Sequence, residues 1–327
     1  MNILVTGASG FVGANLVERL LADGHSVIAL AASPMHEAAQ AAFAAFPGKL
    51  RSVQADVRDP HALELLLSTA KVEAALAGAA ITSSPDRERA ELAAIFEVNL
   101  AAPLQLVALA ARHGVRRVVL LSSSAAMGDR LFGERPVREE DAPAPATLYG
   151  IGKAALEAAA VRWAGLANVG PEVVVARLSA VFGPWERATG VRDRLSPPHA
   201  IACAAVRREP IAPLPPGGSR DWVYAPFAGE ALAWLLTAPR LEHRLYNVGA
   251  GVTWHPRELL RAFAGVDLAV AEDGGGRSVD FNDDLSRQRT FLDTRRLAGE
   301  FKAPPSPQTA TESFARWVRE HPQWFRA

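Results

Sequence analysis

Short apolar runs alternate along the first half of the chain with stretches in which apolar residues return every three or four positions. Ile3-Leu4-Val5, Ser26-Val27-Ile28-Ala29-Leu30, Leu50-Arg51-Ser52-Val53, Ala74-Ala75-Leu76, Val118-Val119-Leu120-Leu121 and Val173-Val174-Val175-Ala176 read as strands. Between them, Phe11 to Leu21 and Leu100 to Ala111 carry helical spacing, and the Ala-rich stretch Ala38 to Ala45 is a good helix former. Strand–helix–strand repetition with right-handed crossovers predicts an α/β fold: a Rossmann-type doubly wound parallel sheet with helices on both faces.

After about Val181 the alternation fades. Prolines cluster at Pro197-Pro198, Pro210, Pro213 and Pro215-Pro216, and glycines gather at Gly274-Gly275-Gly276. This predicts a smaller C-terminal α/β lobe over the strand ends, dividing the chain into 1–180 and 181–327. Tyr246-Asn247-Val248 reads as a strand that returns to the main sheet near 244–250.

Composition narrows the class. Lys+Arg and Asp+Glu are equal at 35 each, so no net field draws the chain to nucleic acid or an anionic membrane. Cys203 is the only cysteine, which rules out an intrachain disulfide and a thiolate metal cluster; no metal site is expected. No apolar run reads as a membrane span, and the N-terminus lacks the pattern of a signal peptide. The expectation is a soluble cytoplasmic protein.

Thr6-Gly7-Ala8-Ser9-Gly10-Phe11-Val12-Gly13 lies between the first strand and the first helix. Gly7 suits a tight turn, Gly10 lets backbone approach a pyrophosphate, and Gly13 permits close packing of the helix. The helix N-terminus adds unpaired N–H groups and a favourable dipole for an anion. Asp56, after the third strand, either accepts from an adenine amino group or caps a helix before Pro60. The second strand ends in Leu30-Ala31-Ala32-Ser33-Pro34, with neither the acid that favours NAD nor an Arg that favours NADP. NAD is the expected cofactor, with NADP as the alternative.

Tyr149-Gly150-Ile151-Gly152-Lys153 places a phenol and an ammonium four residues apart on one helix face. With three tyrosines and four lysines in 327 residues, chance supplies such a pair about 0.04 times. A phenol with a reference pKa of about 10 needs a shift of roughly three units, about 4 kcal/mol, to act as a base near neutrality. A neighbouring ammonium favours the phenolate. Upstream, Ser122-Ser123-Ser124 end the fifth strand at the carboxyl edge of the sheet, where ligands of such folds bind. Asn99, in an otherwise apolar helix, either holds a water or a backbone carbonyl or satisfies itself locally.

With these residues the chain resembles an extended short-chain dehydrogenase/reductase of the NAD-dependent epimerase/dehydratase group, over essentially its whole length. The resemblance implies that Gly7, Gly10, Phe11, Val12, Asp56, Val57, Ala79 and Asn99 serve the cofactor. It makes Ser123, Tyr149 and Lys153 catalytic, with Ser124 as the fallback serine, and gives Tyr149 and Lys153 a share in cofactor binding. Arg177-Leu178-Ser179 resembles the family's post-strand segment. For substrate it points to Thr82, Ser123, Arg220 and Arg289, the arginines resembling those that hold nucleotide-sugar phosphates. It also implies a homodimer through the helices around Leu100 and Leu156.

The chain departs from the pattern at three places. Ala180 stands where the family usually has Asn, Ala77-Gly78-Ala79-Ala80 replaces a His-Leu-Ala-Ala-like run, and Ser124-Ala125 fills the place of the Asp-Glu pair of water-eliminating members. Sugar 4,6-dehydration is therefore not expected.

The resulting expectation is a phenolate Tyr149 that removes a proton from a substrate hydroxyl while hydride leaves the same carbon for nicotinamide, with Ser123 hydrogen-bonding the oxygen. Return of the hydride makes an epimerase, and product release a dehydrogenase. A UDP- or dTDP-sugar is the expected substrate; the alternatives are a small unphosphorylated hydroxy or keto compound, or a cofactor-binding regulator without turnover.

Overall fold

The computed structural model describes all residues except 83, 167–169, 191–194, 264–269, 272–274, 282–284, 286 and 327, so Gly274 of the glycine cluster lies outside the described residues. The strands are β1 (Asn2–Thr6), β2 (Ser26–Ala31), β3 (Lys49–Gln54), β4 (Ala74–Ala77), β5 (Arg117–Ser123), β6 (Glu172–Leu178), β7 (Ala180–Phe182), β8 (Trp222–Tyr224) and β9 (Leu245–Val248). The helices are α1 (Phe11–Ala22), α2 (Glu37–Phe43), α3 (Pro60–Thr69), α4 (Pro85–Ala90), α5 (Leu92–Phe96), α6 (Ala102–Arg112), α7 (Leu148–Ala164), α8 (Pro197–Arg207), α9 (Ala225–Thr237), α10 (Arg257–Ala262), α11 (Arg295–Glu300) and α12 (Pro307–Glu320).

Seven strands form one parallel sheet in the order β3-β2-β1-β4-β5-β6-β9, the doubly wound order extended by one strand. Neighbouring residues on a strand point to opposite faces, so each apolar run feeds two cores. Ile3 and Val5 join Leu16, Val17 and Leu20 of α1 and Leu232, Leu235 and Leu236 of α9. Leu4 faces the other way, into a core with Leu66 of α3, Leu106 and Leu109 of α6 and Leu156 of α7.

The second part of the chain interleaves with the first. β9 completes the main sheet beside β6, and α9 packs on α1 as part of the sheet's own helical layer. A separate core of Phe182, Ile201, Trp222, Trp254, Phe314 and Phe325 underlies the lobe built on the short parallel pair β7–β8.

One reading of the sequence needs correction. The continuous helical run Leu92–Arg112 is long and apolar enough to cross a membrane, by length and composition only. Its residues Leu106, Val107, Leu109 and Ala110 are buried in the core against the sheet, as in the core helix of a globular fold. Within it, Glu97–Ala101 form a π-helical turn where the periodicity predicted plain α-helix.

Asp221 clasps this architecture from inside. Its carboxylate accepts from the Ala250 N–H at 2.6 Å, just past β9, and from the Leu292 N–H at 2.9 Å. A Cβ on Gly249 would collide with its Oδ2, so only glycine leaves the room. Burial raises the Asp221 carboxyl from its usual 3.8 to about 6, outweighing the two N–H donors. The unfolded chain titrates near 3.8, so between about pH 4 and 6 the folded chain binds more protons. Stability contributed here falls as pH rises through that window, and the cost is complete above it. Urea unfolding of Asp221→Asn at a series of pH values should show the variant gaining on the parent by up to about 3 kcal/mol from pH 4 to 7. A pH-independent difference would remove Asp221 from this role.

Candidate active site

The glycine turn is held by packing. Thr6 Oγ1 accepts from the Gly78 and Ala79 N–H groups at 3.0 and 3.3 Å and donates to the Leu76 carbonyl, tying the end of β1 to the end of β4. Gly7 has φ +70°, and a Cβ there would meet Ala79 N at 2.7 Å; on Gly13 it would collide with the Gly7 carbonyl oxygen. Gly10, the N-cap of α1, makes no side-chain cap bond, and Gly10, Phe11, Val12 and Gly13 at the start of the helix all line one cleft. That cleft, of about 450 Å³, is lined by Gly7, Gly10, Phe11, Val12, Asp56, Val57, Ala79, Thr82, Ser123 and Tyr149. A dinucleotide fits it: along the sheet edge the lining runs from Ala31, Ala32 and Ser33 after β2, past the glycine turn after β1 and Gly78 to Thr82 after β4, to Ser123 at the end of β5 and Tyr149.

At the adenosine end, Ala31, Ala32 and Ser33 line the wall as the sequence implied. Asp56 does not cap α3; Asp59 does, accepting from the His61 and Ala62 N–H groups. The Asp56 carboxylate instead takes the guanidinium of Arg58 at 2.7 Å, and that hydrogen bond holds it below the usual carboxylate range. Arg58 also reaches Glu97 at 3.1 Å and lines the cleft. Sequence reasoning missed it, although a cation two residues from a candidate acid was there to be seen.

Asn99 is fully buried and does not line the cleft, which corrects its reading as a cofactor contact. Its amide donates to the Ile81 and Ile95 carbonyls at 2.9 Å and accepts from the Ile81 N–H at 3.3 Å. It therefore fixes the backbone after β4 that forms one wall of the site, a positioning role.

Thr147 caps α7 through a bond from the Gly150 N–H at 3.0 Å, setting Tyr149 in the first turn at the cleft and Lys153 one turn deeper. Lys153 is 1% exposed. Its ammonium donates to the Leu121 carbonyl at 2.8 Å and lies 5.6 Å from the centre of the Tyr149 ring. It does not line the cleft itself, so its share in cofactor binding is not visible as a contact surface. Desolvation brings its pKa down to about 8, with Glu157 pulling the other way. Ser123 lines the cleft and its Oγ accepts from the Ala125 N–H at 3.2 Å, whereas the fallback Ser124 is not in the lining.

Behind these groups lies a polar cluster that sequence reasoning missed. Ser122 Oγ donates to Glu157 at 2.6 Å, and Arg177 grips the same carboxylate at 2.9 and 2.6 Å. Arg177 also donates to Asn247 Oδ1 at 3.2 Å, so α7, β5, β6 and β9 meet there. The signal was legible: Glu157 follows Lys153 by four residues on one helix face.

The two arginines expected to hold phosphate are not brought to this cleft. Arg220 lies 5.6 Å from the Trp222 ring and donates to the Phe281 carbonyl at 2.8 Å. Arg289 lines a different cavity of about 490 Å³, where it and Arg287 sit over Phe132 at 4.8 and 3.7 Å.

The NAD dependent epimerase/dehydratase family model matches residues 3–249. UDP-glucose 4-epimerase of Mycolicibacterium smegmatis is 32% identical over 270 residues, 81% of this chain and 82% of that protein. Sterol demethylase protein B of Methylococcus capsulatus is 35% identical over 187 residues, 57% of this chain and 53% of that one. The crystal structure of DesIV, a dTDP-glucose 4,6-dehydratase from Streptomyces venezuelae with NAD bound, superposes with a TM-score of 0.75 at 26% identity, covering 100% of this chain and 99% of DesIV. By its glycine turn, its Ser-Tyr-Lys set and the match over three quarters of its length, the chain belongs to the NAD-dependent epimerase/dehydratase family.

Proposed function

We propose that the protein is a nucleotide-sugar epimerase-like enzyme acting at a carbinol carbon. The observation that carries this reading is the cleft in which the glycine turn, Ser123 and Tyr149 meet, with the Lys153 ammonium buried beneath the phenol. When bound, NAD supplies a hydride acceptor at the substrate carbon. Tyr149 takes the proton of the substrate hydroxyl, and Ser123 donates a hydrogen bond to the same oxygen as it becomes a carbonyl. Lys153 favours the phenolate through its charge. The Mycolicibacterium relative and DesIV, both named for nucleotide-sugar chemistry, support a UDP- or dTDP-sugar as substrate.

A second reading, a small unphosphorylated hydroxy or keto substrate, is favoured by Ala180 on the cleft wall and by the placement of Arg220 and Arg289 away from it. The partial match to a protein named for sterol demethylation points the same way. A thermal-shift screen with NAD present separates the two. UDP or dTDP at millimolar concentration should raise the melting temperature, and free sugars and sugar acids should not. No shift with either nucleotide would move the assignment to the second reading.

We also infer a homodimer and a cytoplasmic location. The dimer reading is supported by the exposed apolar residues Leu104 of α6 and Ile151 and Val161 of α7. Leu156, on one of the two helices to which the resemblance assigned that interface, is itself fully buried, so the exposed residues of its helix would form the contact.

A further inference from the structure

Arg187 reaches the cofactor cleft from outside the nucleotide-binding half of the sheet. The segment that carries it is nailed to α1, the helix whose N-terminus faces the cleft. Asn15 of α1 donates to the Pro184 carbonyl at 2.9 Å, and Trp185 Nε1 donates to Glu18 of α1 at 2.8 Å. Trp185 is held in the left-handed region at φ 67°, a strained conformation for a bulky residue that persists only when its surroundings over-determine it. Those surroundings are aromatic: Phe43, Trp317 and Trp324 meet its ring edge-on at 5.1 to 5.6 Å. Glu186 is buried and accepts from the backbone N–H and hydroxyl of Ser196 at 2.8 and 2.5 Å, and its carbonyl accepts from Trp324 Nε1. Farther along, the Gly190 carbonyl accepts from Arg87 at 2.9 Å. The backbone on both sides of Arg187 is thus fixed.

Arg187 and Thr189 line the same cleft as Gly7, Ser9, Gly10, Phe11 and Val12. The Arg187 guanidinium makes one long hydrogen bond, from Nη2 to the Ser9 carbonyl at 3.4 Å, which sets it beside the glycine turn. Among the described residues no carboxylate pairs with it, and desolvation alone pulls its pKa below the usual value. A half-desolvated cation with five donors and only one weak acceptor is incomplete until it meets an anion. The anion of this cleft is the diphosphate of the dinucleotide, which the α1 N-terminus addresses from the other side.

We propose that Arg187 is a cofactor-binding residue that clamps the dinucleotide diphosphate against the glycine turn, so that the second lobe contributes directly to cofactor affinity. The assignment rests on the family's cofactor, NAD. A guanidinium fork suits phosphoryl oxygens and acts here as the lid of a pincer whose base is backbone N–H groups.

The test is calorimetric titration of the whole protein and of Arg187→Ala with NAD, NADP, ADP-ribose and adenosine. NAD and ADP-ribose, which share the diphosphate, should each bind roughly ten- to a hundredfold more weakly to the variant, while adenosine, displaced competitively, changes by less than about threefold. Arg187→Lys should recover part of the loss, because charge remains and the fork is gone. The loss should shrink as salt is raised. Equal weakening of adenosine would make Arg187 a merely structural residue. A loss confined to NADP would place the guanidinium on the ribose phosphate instead. Unchanged affinity for all four ligands, or a parent protein that binds no dinucleotide, would also overturn the assignment.

Discussion

Replacing Tyr149 by Phe lowers turnover by roughly 10²- to 10⁴-fold, the range for a general acid–base group, while the fold and the affinity for the dinucleotide hold. The substitution removes one hydroxyl at the mouth of the cleft. The ring stays, and with it the face above which the Lys153 ammonium lies at 5.6 Å. The α7 cap is unaffected, since Thr147 bonds to the Gly150 N–H and not to the phenol. A cut in kcat with little change in melting temperature or dinucleotide affinity is therefore the expected signature. Ser123→Ala should give a smaller loss in the same direction, because it removes a hydrogen bond and leaves the base. Near-normal turnover of the Phe variant would take Tyr149 out of the chemistry and, with it, most of the case for carbinol oxidation.

Parallel strands buried on both faces read as contiguous apolar runs, which is why β1, β2, β4, β5, β6 and even the returning β9 were legible in the chain's apolar pattern, whereas the exposed edge strand β3 carried only Leu50 and Val53 as its signal. The Tyr149 to Lys153 spacing was legible for a related reason: a helix converts a separation of four into a shared face. What escaped depended on contacts distant in sequence. That Asn99 holds a backbone carbonyl was one of the readings its amide offered, but which carbonyl it holds, that of Ile81 eighteen residues away, and the π-helical turn around it are not announced by any periodicity. Arg220 has the residue type of a phosphate ligand, but the fold sets it beside Trp222 and the Phe281 carbonyl, outside the lining of the cleft. The split at residue 180 followed composition, but α9, well past it, packs on α1 because the sheet's helical layer needed a partner there. A motif carries its residue types forward, and only packing decides which of them face the ligand.

The buried pair of Glu157 and Arg177 should give the largest stability effect. Arg177 is 2% and Glu157 8% exposed at the side chain, so neither charge is screened by water. Glu157→Gln removes the counter-charge while leaving Ser122 and Arg177 in place, with an amide donor now facing their donors. Breaking such a pair on one side costs about 3–5 kcal/mol, because an uncompensated guanidinium stays buried. The second consequence concerns the site. The charge of Glu157 holds the Lys153 pKa up against desolvation. Without it the ammonium should lose its proton at lower pH, and the alkaline fall in kcat/KM should move downward from about pH 8. Urea unfolding measures the first effect and a pH–rate profile the second. Replacing both partners together, as Glu157→Met with Arg177→Met, removes both buried charges and fills the space with apolar atoms, so most of the lost stability should return. Stability restored in the double variant with the rate profile still displaced would separate the two duties of Glu157: holding β5, β6 and α7 together, and keeping a positive charge under the phenol. A double variant no more stable than Glu157→Gln would show that the pair is not the source of the loss.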